Sequence, residues 1–426
     1  MRRGARADEA FARHAAALDR RQRHFLMELA YGAIRWKALL HHHLDRHLTK
    51  GREGLHPDVA DVLDLGAYQL LFMDRVPPWS AVDESVALVR AATRPAVAKW
   101  AAGVVNGVLR NLDRRREPPP MPADPPGRLA VLHSHPRWLV ARWLDRFGAE
   151  ATEALLKKDN EPPPLHLHVH PLRATPEALL ERLAAAGYEA RLHDTAPGAI
   201  VIPFGATPGE LPGWDEGWMW AQDAGAQWVT RAAPPAPGAR ILDACSAPGS
   251  KLASLLAREG AGTALAVDVD PARLALVAAN VRRLGLAGAR LAAADARALP
   301  ARTAFDYVLA DVPCTGTGVL RRRVDARWRR RPDDVARFAA FQGELLAAVA
   351  AHVAPGGTLV YATCSLEREE NEGVVEAFLH AHAEFRVEPV ADLVPPDFRE
   401  GPYLFTRPWR GDVDGMFAAR IVRAAG

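Results

Sequence analysis

Cysteine is nearly absent from this chain: there are three in 426 residues, Cys245, Cys314 and Cys364, all in the second half. A disulfide framework is therefore not expected, and no paired Cys/His spacing suggests zinc or another metal site. Long apolar runs are missing as well. Nothing approaches the ~20 residues of a membrane span, so no membrane partner is expected. The basic start, residues 1–6, leads into charged helical sequence instead of an apolar signal core, which points to a cytoplasmic protein. Lysine is scarce, and a net charge of +3 is too small to demand a nucleic-acid partner by itself. A coding bias toward Arg accounts for the skew as readily as the use of Arg as a planar ligand for phosphates and bases.

What is present falls into three parts. Residues 1–126 carry apolar positions at helical spacing, such as Val59, Val62, Leu63, Tyr68 and Leu71, then Val104, Val105, Val108 and Leu112. Ser80 with Asp83 reads as the capping-box start of one of these helices. The part is all-α, with no Gly-rich loop or acid/base pair, and it closes at the proline run 117–126, which can neither continue a helix nor join a sheet interior. Residues 127–212 read as a small helical and α/β connecting domain. Within it, 165–170 alternates apolar residues with His166, His168 and His170; a period of two puts the three imidazoles on one strand face, expected to be exposed or turned toward RNA. A further strand is expected at 188–191.

From residue 213, and most clearly from Ala239, the rhythm becomes strand, loop, helix, repeated. Asp243, Asp268, Asp295 and Asp311 each stand at or beside the end of a short apolar run, as a parallel sheet with a ligand along its top requires. The first turn, Cys245, Ser246, Ala247, Pro248, Gly249, Ser250 and Lys251, is small-residue-rich and is not G-x-G-x-x-G, so a dinucleotide is disfavoured. Small residues let backbone donors approach a carboxylate, Asp268 suits ribose hydroxyls and Asp295 an adenine edge. Together these suit a nucleoside with an amino-acid tail, S-adenosyl-L-methionine.

Two of the three cysteines sit at strand ends. Residues 359–371, LVYATCSLEREEN, place Cys364 where an apolar strand gives way to a polar loop, and 305–318, FDYVLADVPCTGTG, repeat the arrangement with Asp311 and Cys314. A thiolate is the side chain best suited to reversible addition to a base, and Asp311, if protonated, could hydrogen-bond a ring nitrogen beside it. Cys245 has no matching role and reads as packing. Arg321, Arg322 and Arg323, with Trp328 in the basic stretch that follows, are expected to contact phosphates and stack or pack, respectively.

DACSAPGSK (243–251), ADVPCTGTG (310–318) and YATCS followed by Glu370 and Asn371 resemble the donor-binding, Pro-Cys and Thr-Cys motifs of RNA cytosine-5 methyltransferases of the RsmB/NOP/NSUN family. The front half (LMELAYGAIRW, VVNGVLRNL) resembles the antitermination-factor NusB-like domain fused to the enzyme in the RsmB group. The resemblance implies an α/β, Rossmann-like class I methyltransferase domain preceded by an all-α NusB-like RNA-binding domain and a small α/β connecting segment. It further implies 16S ribosomal RNA as partner, Cys364 as nucleophile, Cys314 in product release, and donor contacts from Cys245 to Lys251 and from Asp268, Asp295 and Asp311. Ser246, Ser250 and Val324 depart from the family's usual Ala, Gly and Pro. A monomer is expected. The same reaction on transfer RNA, or a non-catalytic RNA-binding assembly or antitermination factor, are the competing readings.

Overall fold

The computed structural model describes residues 7–300 and 304–425 except 16 and 50; the basic start at 1–6 lies outside the described residues. The chain divides into two compact units. One comprises residues 1–161 together with 323–329, the other 162–322 and 330–426.

The first unit is helical. Helices Pro57–Phe72, Pro78–Ala92 and Pro95–Arg114 bury Leu63, Ala67, Val82, Val89, Val105 and Leu109 against one another. A Cβ at Gly66 would collide with Leu109 and Ser85, so the close crossing of these helices depends on its missing side chain. The capping box expected at Ser80 is not the helix start. Pro77 is the N-cap and Pro78 opens the helix, because a proline at the first position gives up only an N–H that would lack a partner anyway. Helices Pro125–Leu132 and Arg137–Asp159, grouped with the connecting domain on sequence, pack within this helical unit.

The segment 323–329 is part of the same unit, where Arg327, within the basic stretch, is enclosed and Trp328 takes packing, the second of the two roles expected for it. Arg327 is fully buried, donating to the Ser134 and Asp159 carbonyls at 3.1 and 3.0 Å and to Asn160 Oδ1 at 2.8 Å. Burial lowers its guanidinium to about 10, so it stays charged at neutral pH. The Trp328 indole donates to the Ile34 carbonyl at 2.7 Å, a packing contact instead of a stacking platform. Arg327→Ala is expected to cost about 3 kcal/mol or more in urea unfolding, because several buried carbonyls lose their donor at once.

The second unit holds two sheets. The smaller is antiparallel, ordered β2-β3-β1-β4, from β1 (Leu165–Val169), β2 (Arg191–Leu192), β3 (Ala199–Ile202) and β4 (Met219–Ala221). Helix Pro176–Ala185 covers one face, with Leu179 and Leu183 against Leu167 and Val169. The expected strand at 188–191 forms slightly later, at β2.

The larger sheet is built from β5 (Arg240–Asp243), β6 (Thr263–Asp268), β7 (Ala289–Ala293), β8 (Phe305–Asp311) and β9 (Val353–Thr363), all parallel, then β10 (Phe385–Val387), β11 (Arg399–Glu400), β12 (Tyr403–Phe405) and β13 (Phe417–Arg423). Its order is β11-β12-β13-β9-β8-β5-β6-β7, with β13 antiparallel to β9 and β10 paired to β13. From β5 the chain winds outward through β6 to β7, then returns to β8 on the other side. The switch point therefore lies between β5 and β8, where such sheets open a crevice for ligands. Strand cores are apolar on both faces, as in Leu242, Val308, Leu309, Val360 and Ala362, because helices cover both sides of a parallel sheet. No described helix is long and apolar enough to cross a membrane.

Candidate active site

At the switch point, β5 delivers Asp243 and the turn 245–251. Gly249 has φ +96°, which disfavours any side chain, and a Cβ there would press on Val277 at 3.2 Å. Asp243 is buried and, among the described residues, neither of its carboxylate oxygens has a hydrogen bond of normal geometry, the Ser246 hydroxyl lying near enough only to draw its carboxyl down somewhat. Burial above all, then the charges of Asp311 and Asp268, push its carboxyl up to about 7. The Cys245 thiol is likewise pushed up, first by burial and then by Asp243, consistent with packing and not reactivity.

Asp268 ends β6 and is 4% exposed; its Oδ2 accepts from Ala247 N at 3.2 Å and its Oδ1 from Asp270 N at 3.0 Å. Each oxygen retains accepting capacity. Asp295, following β7, is tied to Arg297 at 2.8 Å, which lowers its carboxyl below the usual range. This donor set fits S-adenosylmethionine: an orphaned anion at the switch point for an ammonium, a carboxylate with spare lone pairs one strand over for a diol, and a third carboxylate further along.

β8 and β9 are parallel neighbours with Asp311 opposite Ala362, so the loops leaving them run side by side. That brings Cys314 Sγ to 3.2 Å from Cys364 Sγ. The Cys314 thiol is raised well above the ordinary value, by its hydrogen bond to Cys364 first, then by burial and by the charge of Cys364. The Cys314 thiol therefore keeps its proton at neutral pH, and either sulfur can donate to the other. Lys251 Nζ donates to Asp311 Oδ2 at 2.7 Å. Burial opposes a charged Lys251, but Asp311 and, further down, Cys364 outweigh it, and its pKa is raised. A largely enclosed ammonium is therefore held against the strand-end carboxylate, within reach of the charge of Cys364. Lys251 donates to Asp311 Oδ2, so the ammonium stands beside the strand-end carboxylate as a second donor candidate for a substrate ring.

The loops are braced by residues the sequence did not single out. Gly318 N donates to the Cys364 carbonyl at 2.9 Å and Gly415 N to the Gly318 carbonyl at 2.8 Å, an approach so close that a Cβ at Gly318 would collide with Gly415. Glu370 and Gln342 tie the two loops together from below. Glu370 was visible within its motif, whereas Gln342, on helix Pro332–Ala350, carries no local signal.

Three expectations are corrected around this core. Arg321 is buried and paired with Asp412, and Arg322 donates to Asp223 at 2.7 Å and Asp414 at 2.8 Å. Their guanidinium charges are held by carboxylates of the same unit, which leaves Arg323 the exposed member of the trio. The histidines of β1 share a face, as expected, but that face is covered. His166 Nδ1 lies 2.9 Å from Asp223, and His168 bonds Gln222 and is driven down to about 4 by burial. His170 reaches the Leu284 carbonyl at 3.3 Å. β1 is a central strand enclosed on both faces, so alternation here separates two buried environments and not core from solvent. Among the described residues, no group of three or more His, Cys, Asp or Glu is placed to hold a metal ion.

A Rossmann-like sheet with carboxylates at successive strand ends and its final strand reversed is the fold of a methyltransferase domain, here preceded by an all-helical unit. Residues 231–422 match the family model of the 16S rRNA methyltransferase RsmB/F, residues 2–114 that of the NusB family, and 135–205 a ferredoxin-like domain of RsmF/B-like methyltransferases. Ribosomal RNA small subunit methyltransferase B of Sodalis glossinidius is 36% identical over 96% of this chain and 91% of its own. The probable ribosomal RNA small subunit methyltransferase B of Bacillus subtilis is 34% identical over 94% and 90%. A methyltransferase homolog protein from Pyrococcus horikoshii superposes with a TM-score of 0.60 at 25% identity, over 69% of this chain and 97% of that one. The chain belongs to the RsmB/F family of ribosomal RNA methyltransferases.

Proposed function

We propose that this protein methylates carbon 5 of a cytidine in 16S ribosomal RNA through a covalent bond between Cys364 and carbon 6 of the base. The observation that carries the reading is the thiol pair: two sulfurs 3.2 Å apart on adjacent strand-end loops, with a buried ammonium against the neighbouring carboxylate. Bound along the strand ends, S-adenosylmethionine supplies an electrophilic methyl group.

The protein's own residues do the rest. Cys364, as thiolate, adds to carbon 6, and Cys314 donates its S–H toward that sulfur while Lys251 lies close enough to offset its charge. Addition moves negative charge onto the ring, and the Lys251 ammonium, fixed by Asp311, is the donor best placed to stabilise it. Once carbon 5 is methylated, its proton must leave before the bond to Cys364 breaks. The electrons of that C–H bond re-form the ring double bond and expel Cys364 as thiolate, and Cys314, once it has given its own proton to solvent, is the neighbouring sulfur that takes the carbon-5 proton. A base can reach a thiol at a strand end only if it is single-stranded or drawn out of its stack.

The test is direct. Purified protein, 16S ribosomal RNA stripped of protein and labelled S-adenosylmethionine are incubated, and the RNA is digested to nucleosides. Label in 5-methylcytidine is the expected result. Label in any other nucleoside removes the chemistry proposed for the thiol pair, and label appearing only with transfer RNA removes the substrate.

A further inference from the structure

We propose that Glu370 is a positioning residue that locks the Cys314 and Cys364 loops into register and holds the two sulfurs to different roles. The proposal deepens the reading of the thiol pair given above and rests on it. Glu370 is fully buried, and its carboxylate accepts from both loops at once. Its Oε2 takes the Thr315 N–H at 2.8 Å and the Gln342 amide at 2.9 Å; its Oε1 takes the Ser365 hydroxyl at 2.7 Å and the Thr315 hydroxyl. Thr315 follows Cys314 and Ser365 follows Cys364, so one side chain grips the residue next to each sulfur. Gln342 extends the brace, since the same amide nitrogen also donates to the Pro313 carbonyl at 2.9 Å.

A carboxylate satisfies all four of these donors at once. Two of its donors, a backbone N–H and an amide N–H whose nitrogen also serves Pro313, cannot turn round to accept, so both must meet a bare oxygen. An amide at position 370 would present a second donor either there or to the two hydroxyls.

The charge matters as well as the shape. The ionisable or charged groups facing this site are the Cys314 thiol, the Tyr361 phenol, which donates to the Glu370 carbonyl at 2.5 Å, and the Arg330 guanidinium. Arg330 donates to the carbonyls of Thr315 (2.7 Å) and Cys314 (3.3 Å). Burial pushes the Glu370 carboxyl up, while the hydrogen bonds from Thr315, Ser365 and Gln342 favour its ionised form, and Cys314 lies between this carboxylate and the Cys364 sulfur. After the hydrogen bond to Cys364, burial and the charge of that sulfur, Glu370 is the next influence keeping the proton on Cys314. An anion behind one thiol and a cation beside the other sort the pair into an S–H donor and a nucleophile.

Glu370→Gln tests this in the full-length protein with two readouts. In steady-state methylation of 16S ribosomal RNA, kcat is expected to fall about 100-fold with KM changed less than about twofold, as loss of sub-ångström register between reacting groups predicts. In the absence of RNA, iodoacetamide labelling at pH 8, followed by peptide mass spectrometry, is expected to show labelling of Cys314 relative to Cys364 rising about tenfold. A residue that only supported the fold would leave that ratio unchanged. Ser365→Ala, which removes one donor and keeps the charge, is expected to lower kcat by a smaller factor with the labelling ratio unaltered, and it serves if Glu370→Gln fails to fold. An unchanged ratio together with wild-type kcat in Glu370→Gln overturns the role, as does a large ratio change in Ser365→Ala. Because labelling needs no RNA, an error in the cytosine-5 assignment shows instead as missing 5-methylcytidine in the wild-type assay.

Discussion

Cys314→Ala is expected to form a covalent protein–RNA complex that survives a denaturing gel, and Cys364→Ala to form none and to lose at least about 10⁴-fold in methylation rate. The asymmetry follows from where the proton lies. Cys314 carries it, so its removal leaves Cys364 able to add to the base and accept the methylated product, but without the neighbour that assists elimination. The adduct should require S-adenosylmethionine to accumulate fully, and should be dissolved by the further change Cys364→Ala. If both single variants trap RNA, or neither does, the roles of the two sulfurs are not those proposed. The Cys314→Ala protein has a second expected property: with the S–H donor gone, the Cys364 sulfur loses its closest hydrogen bond, so adduct formation should be slower than in the wild type.

Much of this centre was legible in the chain because its parts are local. A strand is short, ends in an acid and turns, and that pattern marks Asp243, Asp268 and Asp311 in the chain itself, along with the two cysteines on their loops. The cationic residues were not legible in the same way. Arg321, Arg322 and Arg327 read as an exposed basic run because their partners lie far off in sequence: Asp412, Asp414 and Asp223 for the first two, Ser134 and Asn160 for the third. A charge run carries no mark of whether carboxylates and carbonyls from elsewhere will enclose it. The histidines of β1 failed for a related reason. Period-two alternation identifies the strand, but whether its second face meets water depends on Trp220, Gln222 and Ser254, which arrive from another strand, a loop and a helix. Nor does the chain mark Lys251, sixty positions earlier, as the partner of Asp311.

Asp243→Asn is expected to make the ligand-free protein more stable and the enzyme worse, and the size of the gain should depend on pH in a fixed direction. In the folded chain the Asp243 carboxyl is raised to about 7, chiefly by burial, whereas unfolded it titrates near an ordinary carboxylate. A raised acid holds its proton in the native state while the unfolded chain has released it, so stability falls as pH rises from about 4 to about 7 and the full penalty applies above that. Asn imitates the protonated acid and has no charge to desolvate. The variant should therefore match the wild type in denaturation midpoint near pH 4 and exceed it at pH 8, by up to about 4 kcal/mol. Over the same change, affinity for S-adenosylmethionine should drop about 10- to 100-fold, since a neutral amide cannot replace a buried carboxylate facing an ammonium. Parallel stability curves for the two proteins between pH 4 and 8 would mean that Asp243 is not held neutral in the fold. Unchanged donor affinity would mean that its unpartnered oxygens face something other than the amino-acid tail. Both results arising as expected would identify the strain: the sheet keeps an unsatisfied carboxylate at its switch point, at a cost in stability, because the ligand that completes it arrives carrying the opposite charge.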